Sequence, residues 1–494
     1  MSTRIKIDPV TRIEGHLAIE AVIDDGVVKE ARSAGTLFRG FEIILQGRDP
    51  RDANRLTQRI CGVCPTAHAT ASALCIDDAF GLTDKIPDNA RLIRCLILGS
   101  NFLQSHILHF YHLAALDYVD AAAVVGDLAP FVPRYEGDYR VSGEANAELV
   151  NHYVQALDIR RKCQEMLSIF GGKMPHSVGI VPGGVTERPT EDKIINFLWR
   201  LNEIRDFVDN TYIPDIIAVA KAYGDYFEIG QGCKRLLAYG GFDLPTGKLF
   251  KSGVVSPDLQ LQPFAEENIT EDLKHSWYAD SDSGKNPAQG QTKPEPNKKQ
   301  AYSFLKSPRY EGKVCELGPL ARMVNNYVQG DSKVKELIDS TLAQLGAGAD
   351  ALFSVLGRHA ARALEAKLVA DAMVDWLQAL KPDEPIIVEN KIPETGEGAG
   401  LTEAPRGSVG HWITIKDKKT NRYQVITPTA WNASPKDDKD QPGAIEQAII
   451  GTKVKDKDNP FELVRIVRAF DPCLACSVHL LDARAGKLGQ FRVV

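Results

Sequence analysis

Two Cys-x-x-Cys pairs, near opposite ends of the chain, are the residues whose type and spacing most clearly indicate chemistry. They are Cys61 and Cys64 in residues 59–68 (RICGVCPTAH), and Cys473 and Cys476 in residues 471–479 (DPCLACSVH). Cysteines three positions apart on one helical turn project to the same side, and a helix N-terminus favours the thiolate. We therefore expect a helix after the first pair and a helix that the second pair itself opens, with Asp471 as its N-cap and Pro472 in its first turn. Each pair is expected to bind a soft metal ion.

Three kinds of site fit such pairs. Thioredoxin-like redox chemistry needs one pair near a βαβ unit and does not explain two. A structural zinc site normally draws both pairs from a short stretch, whereas Cys64 and Cys473 are 409 positions apart. A catalytic site of soft transition metals, assembled when the chain ends meet, explains both pairs. Spacing alone favours this third site only modestly, so the zinc alternative stays open at this point.

Composition excludes some other classes of protein. The 494 residues carry 65 acidic and 59 basic side chains, a net charge of -6, so the basic surplus of a nucleic-acid binder is missing. The chain has no run of about 18 apolar residues, so its sequence does not predict a membrane span. The N-terminal segment lacks the apolar block of a secretory signal. The five single cysteines are predicted to be small buried side chains.

Several long helices must position the cysteine pairs. Apolar periodicity and end signals predict them over residues 88–118, 148–170, 190–223 with a disturbance at Pro214, and within 333–380. Strand-like alternation predicts a hairpin near residues 17–28 and two strands over 411–415 and 423–427, and the polar segment 280–299 reads as a loop. The predicted fold class is α+β, predominantly helical, with a long-helix core and small β-sheets near the N- and C-terminal parts.

Six motifs in order along the chain give it a family resemblance. They are residues 8–16 (DPVTRIEGH), 38–42 (FRGFE), 59–68, 318–322 (GPLAR), 404–407 (APRG) and 471–479. Together they resemble the large, catalytic subunit of the nickel-iron hydrogenases over nearly the whole length. The segment 35–42 (GTLFRGFE) resembles the respiratory uptake group of that family. The resemblance implies the hydrogenase large-subunit fold and reversible heterolytic cleavage of H2.

The resemblance also implies a metal centre. Cys61 and Cys473 would bind nickel terminally, while Cys64 and Cys476 would bridge nickel to an iron that carries one carbonyl and two cyanides. Nearby groups would hold the surplus negative charge of this centre. The side chains implied around the metals are His68, Ser105, Pro405, Arg406, Thr427, Pro428 and Asp471. Many relatives carry an aspartate at the position of Ser105, so one negative charge is missing here.

Proton transfer is assigned by the same resemblance. The Cys473 thiolate would take the proton from H2 and pass it to Glu14, whereas an alternative uses Arg406 as the base. Arginine's very high pKa makes it a reluctant base, so the thiolate is preferred. A magnesium ion would be bound by Glu42, His479 and the carbonyl of Val425, an oxygen-rich set that suits a hard cation.

Maturation and partners follow from the resemblance as well. Residues 1–479 would form a single integrated unit, and a protease would cut between His479 and Leu480 to remove residues 480–494. The implied partners are an iron-sulfur small subunit, in a heterodimer or a higher oligomer, the maturation protease and nickel-insertion proteins. A membrane cytochrome or quinone-linked acceptor would act through the small subunit. The twin-arginine signal of that partner would bring the chain to the periplasmic side, and a cytoplasmic location is the alternative.

Two rival functions share parts of this pattern. A hydrogen sensor would keep the metals, but such sensors generally lack a cleavable tail. A quinone-site subunit like that of respiratory complex I shares the fold and has lost the cysteines, all four of which are present here. The hydrogenase is therefore the predicted function.

Overall fold

The structure, a computed structural model, describes residues 2–126, 128 and 137–474. Cys476, His479, Leu480 and the remainder of the 480–494 segment lie outside these ranges. No helix in the described ranges is both long enough and apolar enough to cross a lipid bilayer.

Long helices form the centre of the fold, as predicted. The α-helices in the described ranges are α1 (Phe41–Ile44), α2 (Asp52–Leu56), α3 (Pro65–Ala79), α4 (Asp88–Leu108), α5 (Ala122–Val125), α6 (Gly143–Gly171), α7 (Glu191–Phe207), α8 (Ile213–Ala222), α9 (Pro319–Val328), α10 (Ser332–Leu345), α11 (Val355–Gln378), α12 (Pro428–Asn432), α13 (Ala444–Ile449) and α14 (Phe461–Ala469). Helices α4 and α11 are buried around most of their circumference and pack against each other, so they form the middle of the core. Helices α6 and α7 cover them.

The predicted disturbance at Pro214 is a wide helical turn. The segment Val208–Tyr212 forms one π-type turn between α7 and α8, and Pro214 lies in the first turn of α8. Proline has no N–H to donate, and the first turn of a helix is where this costs least. The periodic region 333–380 likewise consists of two helices, because the chain breaks between α10 and α11.

The strands form small antiparallel sheets. They are β1 (Thr3–Ile7), β2 (Leu17–Asp24), β3 (Val27–Gly35), β4 (Ile180–Val181), β5 (Gly184–Val185), β6 (Leu236–Ala238), β7 (Gly241–Leu244), β8 (Gly247–Phe250), β9 (Gly253–Val255), β10 (Leu261–Gln262), β11 (Ile269–Asp272), β12 (Ser307–Tyr310), β13 (Thr395–Ala404), β14 (Gly407–Lys416) and β15 (Lys419–Ile426). The order β1-β2-β3 contains the predicted N-terminal hairpin, and β13-β14-β15 contains the two predicted C-terminal strands. Together with the long-helix core, these sheets confirm the predicted α+β class.

Helix α3 and strand β13 approach each other more closely than side chains would ordinarily allow. Gly396, Gly398 and Gly400 alternate along β13 and face the helix. A Cβ atom at Gly400 would lie 2.0 Å from the carbonyl oxygen of Ala71, and one at Gly398 would lie 2.4 Å from that of Cys75. Only glycine permits this contact between backbones. It fixes α3, and therefore the cysteine pair at its start, against the C-terminal sheet.

Candidate metal centre

The two ends of the chain meet at the candidate site. Glu14 and Cys473 form a parallel β-bridge, and the Leu474 N–H donates to the Glu14 carbonyl at 2.7 Å. Gly15 has a φ of 83°, a left-handed conformation that glycine adopts without strain. The N-terminal motif is therefore joined directly to the second cysteine pair by backbone hydrogen bonding.

Three cysteine sulfurs converge at this junction. Those of Cys61, Cys64 and Cys473 lie within 4.8 Å of one another, and the Cys61 and Cys473 sulfurs are 3.3 Å apart. Each of these residues is at most 3% exposed, within the main apolar core. In the described part of the chain, no other trio of His, Cys, Asp or Glu ligand atoms is this close. Three buried soft donors suit soft transition metals.

The turn that carries Cys61 and Cys64 is held from two sides. The Cys61 sulfur accepts from the backbone N–H of Val63 at 3.2 Å and of Cys64 at 3.4 Å. The Val63 carbonyl accepts from the side-chain amides of Asn101 and Gln104 on α4, at 3.0 and 2.9 Å. Cys64 directly precedes α3, so the expected helix after the first pair is confirmed. The peptide N–H groups stabilise negative charge on the Cys61 sulfur.

The prediction that a helix begins at the second cysteine pair is wrong for residues 471–474. Asp471 has a φ of 55°, which is not the extended conformation of a helix N-cap, and Cys473 is bridged to Glu14 instead. The Cys473 N–H donates to the Thr429 hydroxyl at 2.9 Å. Long-range partners therefore override the local Asp-Pro signal.

Arg406 is buried close enough to the three cysteines for their charges to act on it. Its Nη2 is 3.0 Å from Asp471 Oδ1, and its Nη1 donates to Ser105 Oγ at 3.3 Å. Burial acts to lower the pKa of Arg406, but Asp471 and the cysteine thiolates outweigh it and raise the pKa well above its ordinary value. The guanidinium is therefore held in its charged form beside the sulfurs.

A second buried guanidinium positions the Arg406 loop. Arg322 donates to both oxygens of Glu365 at 2.6 and 2.8 Å and to Glu403 at 2.8 Å. It also donates to the carbonyls of Ala404 and Pro405 at 2.9 Å, immediately before Arg406. Arg322 of the 318–322 motif therefore holds the backbone of the 404–407 motif by hydrogen bonds.

Glu14 is the carboxylate that touches the cysteine cluster. The Cys473 thiol donates to Glu14 Oε2 at 3.1 Å. The hydrogen bond joins the sulfur and the carboxylate oxygen directly, with no other group between them. The structure thus brings together Glu14 and Cys473.

Glu42 and Val425 are also adjacent. The Val425 N–H donates to Glu42 Oε1 at 2.9 Å, and Glu42 Oε2 accepts from the Thr292 hydroxyl. A cavity of about 40 Å³ here is lined by Glu42, Val425 and Thr427, together with Glu271 and Lys306. Lys306 donates to Glu271 at 2.9 Å, and these carboxylates raise the pKa of Lys306 against the effect of burial.

The remaining predicted side chains lie in the same region. His68 is one turn into α3 and fully buried. Thr427 is the N-cap of α12, where its side chain accepts from the Ala430 N–H, and Pro428 is the first residue of that helix. Sequence reasoning missed Thr429, Asn101, Gln104 and Glu365, because each acts through a contact distant in sequence.

Comparison with known proteins decides the family. The family model described as nickel-dependent hydrogenase matches residues 39–126 and 121–479. The chain belongs to the nickel-dependent hydrogenases. A further model, described as HoxL-like, matches residues 4–34. The predicted hydrogenase activity is confirmed, and the protein is an enzyme that interconverts H2 with protons and electrons.

Relatives of this hydrogenase cover it almost completely. The periplasmic [NiFeSe] hydrogenase large subunit of Desulfomicrobium baculatum is 45% identical, over 98% of this chain and 96% of that one. An uptake hydrogenase large subunit of Bradyrhizobium diazoefficiens is 36% identical, over 99% and 97% of the two chains. The solved Ni-Fe-Se hydrogenase from D. vulgaris Hildenborough superposes with a TM-score of 0.92 at 46% identity, over 97% of this chain and 100% of that one.

These comparisons bear on two predictions. The TM-score confirms the hydrogenase large-subunit fold. The names of the [NiFeSe] relatives include selenium, whereas the printed sequence of this hydrogenase has cysteine at all four predicted ligand positions. These relatives carry enzyme names, so the sensor and complex I alternatives receive no support from them.

Proposed function

We propose that Cys61, Cys64, Cys473 and Cys476 hold a nickel-iron centre at which this hydrogenase cleaves H2. The observation that carries the proposal is the convergence of three sulfurs from opposite ends of the chain within 4.8 Å. Cys61 and Cys473 would be terminal ligands of nickel, and Cys64 and Cys476 would bridge to iron. Family membership favours this centre over the structural zinc site that shares the same donors.

The iron would carry one carbonyl and two cyanides. Four thiolates and two cyanides bring six negative charges against four positive charges from two divalent metals. The buried Arg406 guanidinium would provide compensating positive charge. The thiolates of Cys61, Cys64 and Cys473 all raise the pKa of Arg406, which supports this role. Pro405, Thr427 and Pro428 would enclose the diatomic ligands together with Arg406.

The proton of H2 is assigned to two groups of this chain. When bound, the metal pair supplies the electron-accepting centre for heterolytic cleavage. The Cys473 thiolate receives the proton at Sγ, and Glu14 Oε2, 3.1 Å away, takes it onward. Arg406 keeps its proton because Asp471 and the thiolates raise its pKa, so it orients and neutralises rather than acting as the base.

A magnesium site is proposed beside this centre. Glu42 and the carbonyl of Val425 would bind the ion together with His479. The carboxylates of Glu42 and Glu271 at the nearby cavity suit a hard cation that retains several waters. Thr292, which hydrogen-bonds Glu42, would keep that carboxylate oriented.

Maturation and assembly are proposed from the same relatives. A protease would cut between His479 and Leu480, leaving residues 1–479 as a single unit. The family match ends at residue 479, which supports this boundary. Electrons would leave through an iron-sulfur small subunit, in a heterodimer or a higher oligomer, and nickel-insertion proteins would load the site.

Location and electron acceptor belong to the same proposal. One relative is named periplasmic, and the Wolinella succinogenes relative, 33% identical, is named quinone-reactive. By analogy, the small subunit's twin-arginine signal would carry this chain to the periplasmic side. A membrane cytochrome or a quinone-linked protein would then accept the electrons.

The decisive experiment combines metal analysis with infrared spectroscopy on the purified complex. We expect nickel and iron in equal amounts, without selenium, and one carbonyl band with two cyanide bands that shift under H2. Cys473→Ala should lose nickel and activity, while the matched variant Cys95→Ala, at a buried cysteine of α4, should keep both. Bound zinc without these bands, or activity that survives Cys473→Ala, would overturn the proposal.

A further inference from the structure

Asp117 is a buried carboxylate that the proposed mechanism does not use. It ends the short turn Ala115–Asp117 after α4, and its side chain is 1% exposed. Its Oδ1 pairs with two guanidiniums, that of Arg12 and that of Arg468, the second at 2.5 Å. Arg12 belongs to the N-terminal motif and Arg468 to α14. One carboxylate oxygen thus joins two segments that lie near opposite ends of the chain.

Arg468 also contacts the N-terminal segment directly. Its Nε donates to the Thr11 carbonyl at 3.0 Å, and its Nη2 donates to the Thr11 hydroxyl at 3.1 Å. On the other side, Arg12 Nη1 donates to the Leu113 carbonyl at 3.0 Å. Residues 11 and 12 are therefore held both against α14 and against the chain that follows α4.

These contacts lie close in sequence to the two groups of the proposed proton transfer. Glu14 follows Arg12 by two positions. The Asp471 N–H donates to the Arg468 carbonyl at 2.9 Å, and Cys473 follows two positions later. The Cys473 thiol and Glu14 Oε2 are themselves 3.1 Å apart. Short stretches of backbone therefore connect the shared carboxylate with both the sulfur and the oxygen.

The backbone of Arg12 shows that its pairing holds this segment against a local preference. Arg12 has a φ of 54°, in the left-handed region that residues other than glycine rarely adopt. Such a conformation persists only where the surrounding contacts over-determine it. The Arg12 guanidinium supplies such contacts through Asp117 and the Leu113 carbonyl. Asp117 thereby fixes the backbone two residues before Glu14.

The negative charge of Asp117 is what makes this contact attractive. Burial acts to raise the pKa of Asp117, but Arg12 and Arg468 outweigh burial and lower it. The carboxylate is therefore ionised between two cations. Without its charge, two guanidiniums that point at the same oxygen position would repel each other. The Glu14 segment would then move with Arg12, away from α14.

We propose that Asp117 is a positioning residue for the proton transfer between Cys473 and Glu14. It acts by holding Arg12 against Arg468, and not on the reacting atoms themselves. A displacement of about 1 Å in a reacting group can lower a rate by about 100-fold. The inference rests on the proposed role of Glu14. It adds that the turn after α4 must be in place before the sulfur and the carboxylate are aligned.

The test is Asp117→Asn in the purified complex, which keeps the shape of the side chain and removes its charge. We expect exchange between H2 and D2O to fall by about 10- to 100-fold, with nickel content and infrared bands retained. The solvent deuterium isotope effect on H2 oxidation should increase, because the transfer of the proton from the sulfur becomes slower than the other steps.

Asp77→Asn is the matched control for the loss of a buried ion pair. The Asp77 side chain is 2% exposed and pairs with Arg94 at 2.7 Å, between α3 and α4. This variant also loses a buried charge, so its stability should fall as well. Its exchange rate per nickel and its isotope effect should nevertheless match those of the parent protein. A general effect of destabilisation would instead change both variants alike and overturn the inference.

A double variant tests whether Asp117 acts through Glu14. Adding Asp117→Asn to Glu14→Gln should lower the exchange rate no further, because the group that Asp117 positions is already absent. Losses that multiply in the double variant, or exchange at the parent rate in Asp117→Asn, would overturn the inference. Exchange at the parent rate in Glu14→Gln would instead overturn the proposed proton path itself, so the two failures are distinguishable.

Arg12→Lys gives the same test if Asp117→Asn does not fold. Lysine keeps the positive charge but cannot bond Asp117 and the Leu113 carbonyl together, and the Arg12 side chain is already 18% exposed. We expect slower exchange, a larger isotope effect and no further loss when the change is combined with Glu14→Gln. Exchange and an isotope effect like those of the parent protein would overturn the inference.

Discussion

Replacing Glu14 with glutamine tests the proposed proton path with the smallest change of shape. The amide is nearly the same size as the carboxylate, and the backbone contacts of Glu14 to Cys473 and Leu474 do not involve the side chain. The metal ligands should therefore stay in place. The amide, however, cannot accept a proton from the Cys473 sulfur, which lies 3.1 Å from Glu14 Oε2 in the native protein.

The expected loss of rate in Glu14→Gln follows from the proposed role of Glu14 as a proton acceptor. A positioned acid–base group typically contributes about 10²- to 10⁴-fold to a rate. Loss of that factor corresponds to about 2.7–5.4 kcal/mol in the activation free energy. We therefore expect H2 oxidation and isotope exchange to fall by about two to four orders of magnitude, while nickel content and the infrared bands remain.

The assay is exchange between H2 and D2O, followed by mass spectrometry on protein of measured nickel content. Glu20→Gln, on β2 of the same N-terminal segment, is the control and should exchange at the parent rate. Exchange within about twofold of the parent in fully loaded Glu14→Gln would refute the reasoning, since so small a loss is far below that of a general base.

Three further predictions concern the surroundings of the site. Arg406→Lys keeps the charge but cannot reach Asp471 and Ser105 together, so turnover should fall on the order of 10- to 100-fold with nickel retained; unchanged turnover would contradict its role. Arg322→Met leaves Glu365 and Glu403 buried without their guanidinium, which should cost about 3–5 kcal/mol of unfolding free energy, measured by denaturant titration; a loss below about 1 kcal/mol would contradict this. Burial lowers the pKa of His112 from 6.5 to about 4, so its contribution to stability is present above pH 6.5 and is lost as pH falls towards 4. His112→Gln should therefore reduce the acid-side loss of stability by about 3 kcal/mol, whereas the exposed His16→Gln should not.

The elements that the sequence predicted well are those whose signals are local. The helices around residues 88–118 and 148–170 have long apolar periods, and the structure has α4 and α6 there. Strand β13 was not predicted, because its glycines at every second position carry no apolar alternation. Those glycines have a physical reason only once α3 is known to lie against them.

At the site, too, features with local sequence signals were predicted and features that depend on long-range contacts were not. Residue type and spacing selected Cys61, Cys64 and Cys473, and the family resemblance added Glu14 and Arg406. The structure brings these five residues together. Local signals failed at Asp471, where pairing with Arg406 and the bridge from Cys473 to Glu14 prevail over a helix start. The partners that hold the site, such as Thr429 and Asn101, could not be predicted, because their contacts join segments far apart in the chain.

The junction of Glu14 with Cys473 also constrains how this protein is made. The ribosome synthesises Cys61 and Cys64 long before Cys473, and at about 5–20 residues per second the 409 residues from Pro65 through Cys473 take roughly 20–80 s. During that interval the nascent chain carries the first cysteine pair without Cys473, whose sulfur completes the described cluster. Loading of the proposed metal centre would therefore be a late event, after Cys473 has been synthesised.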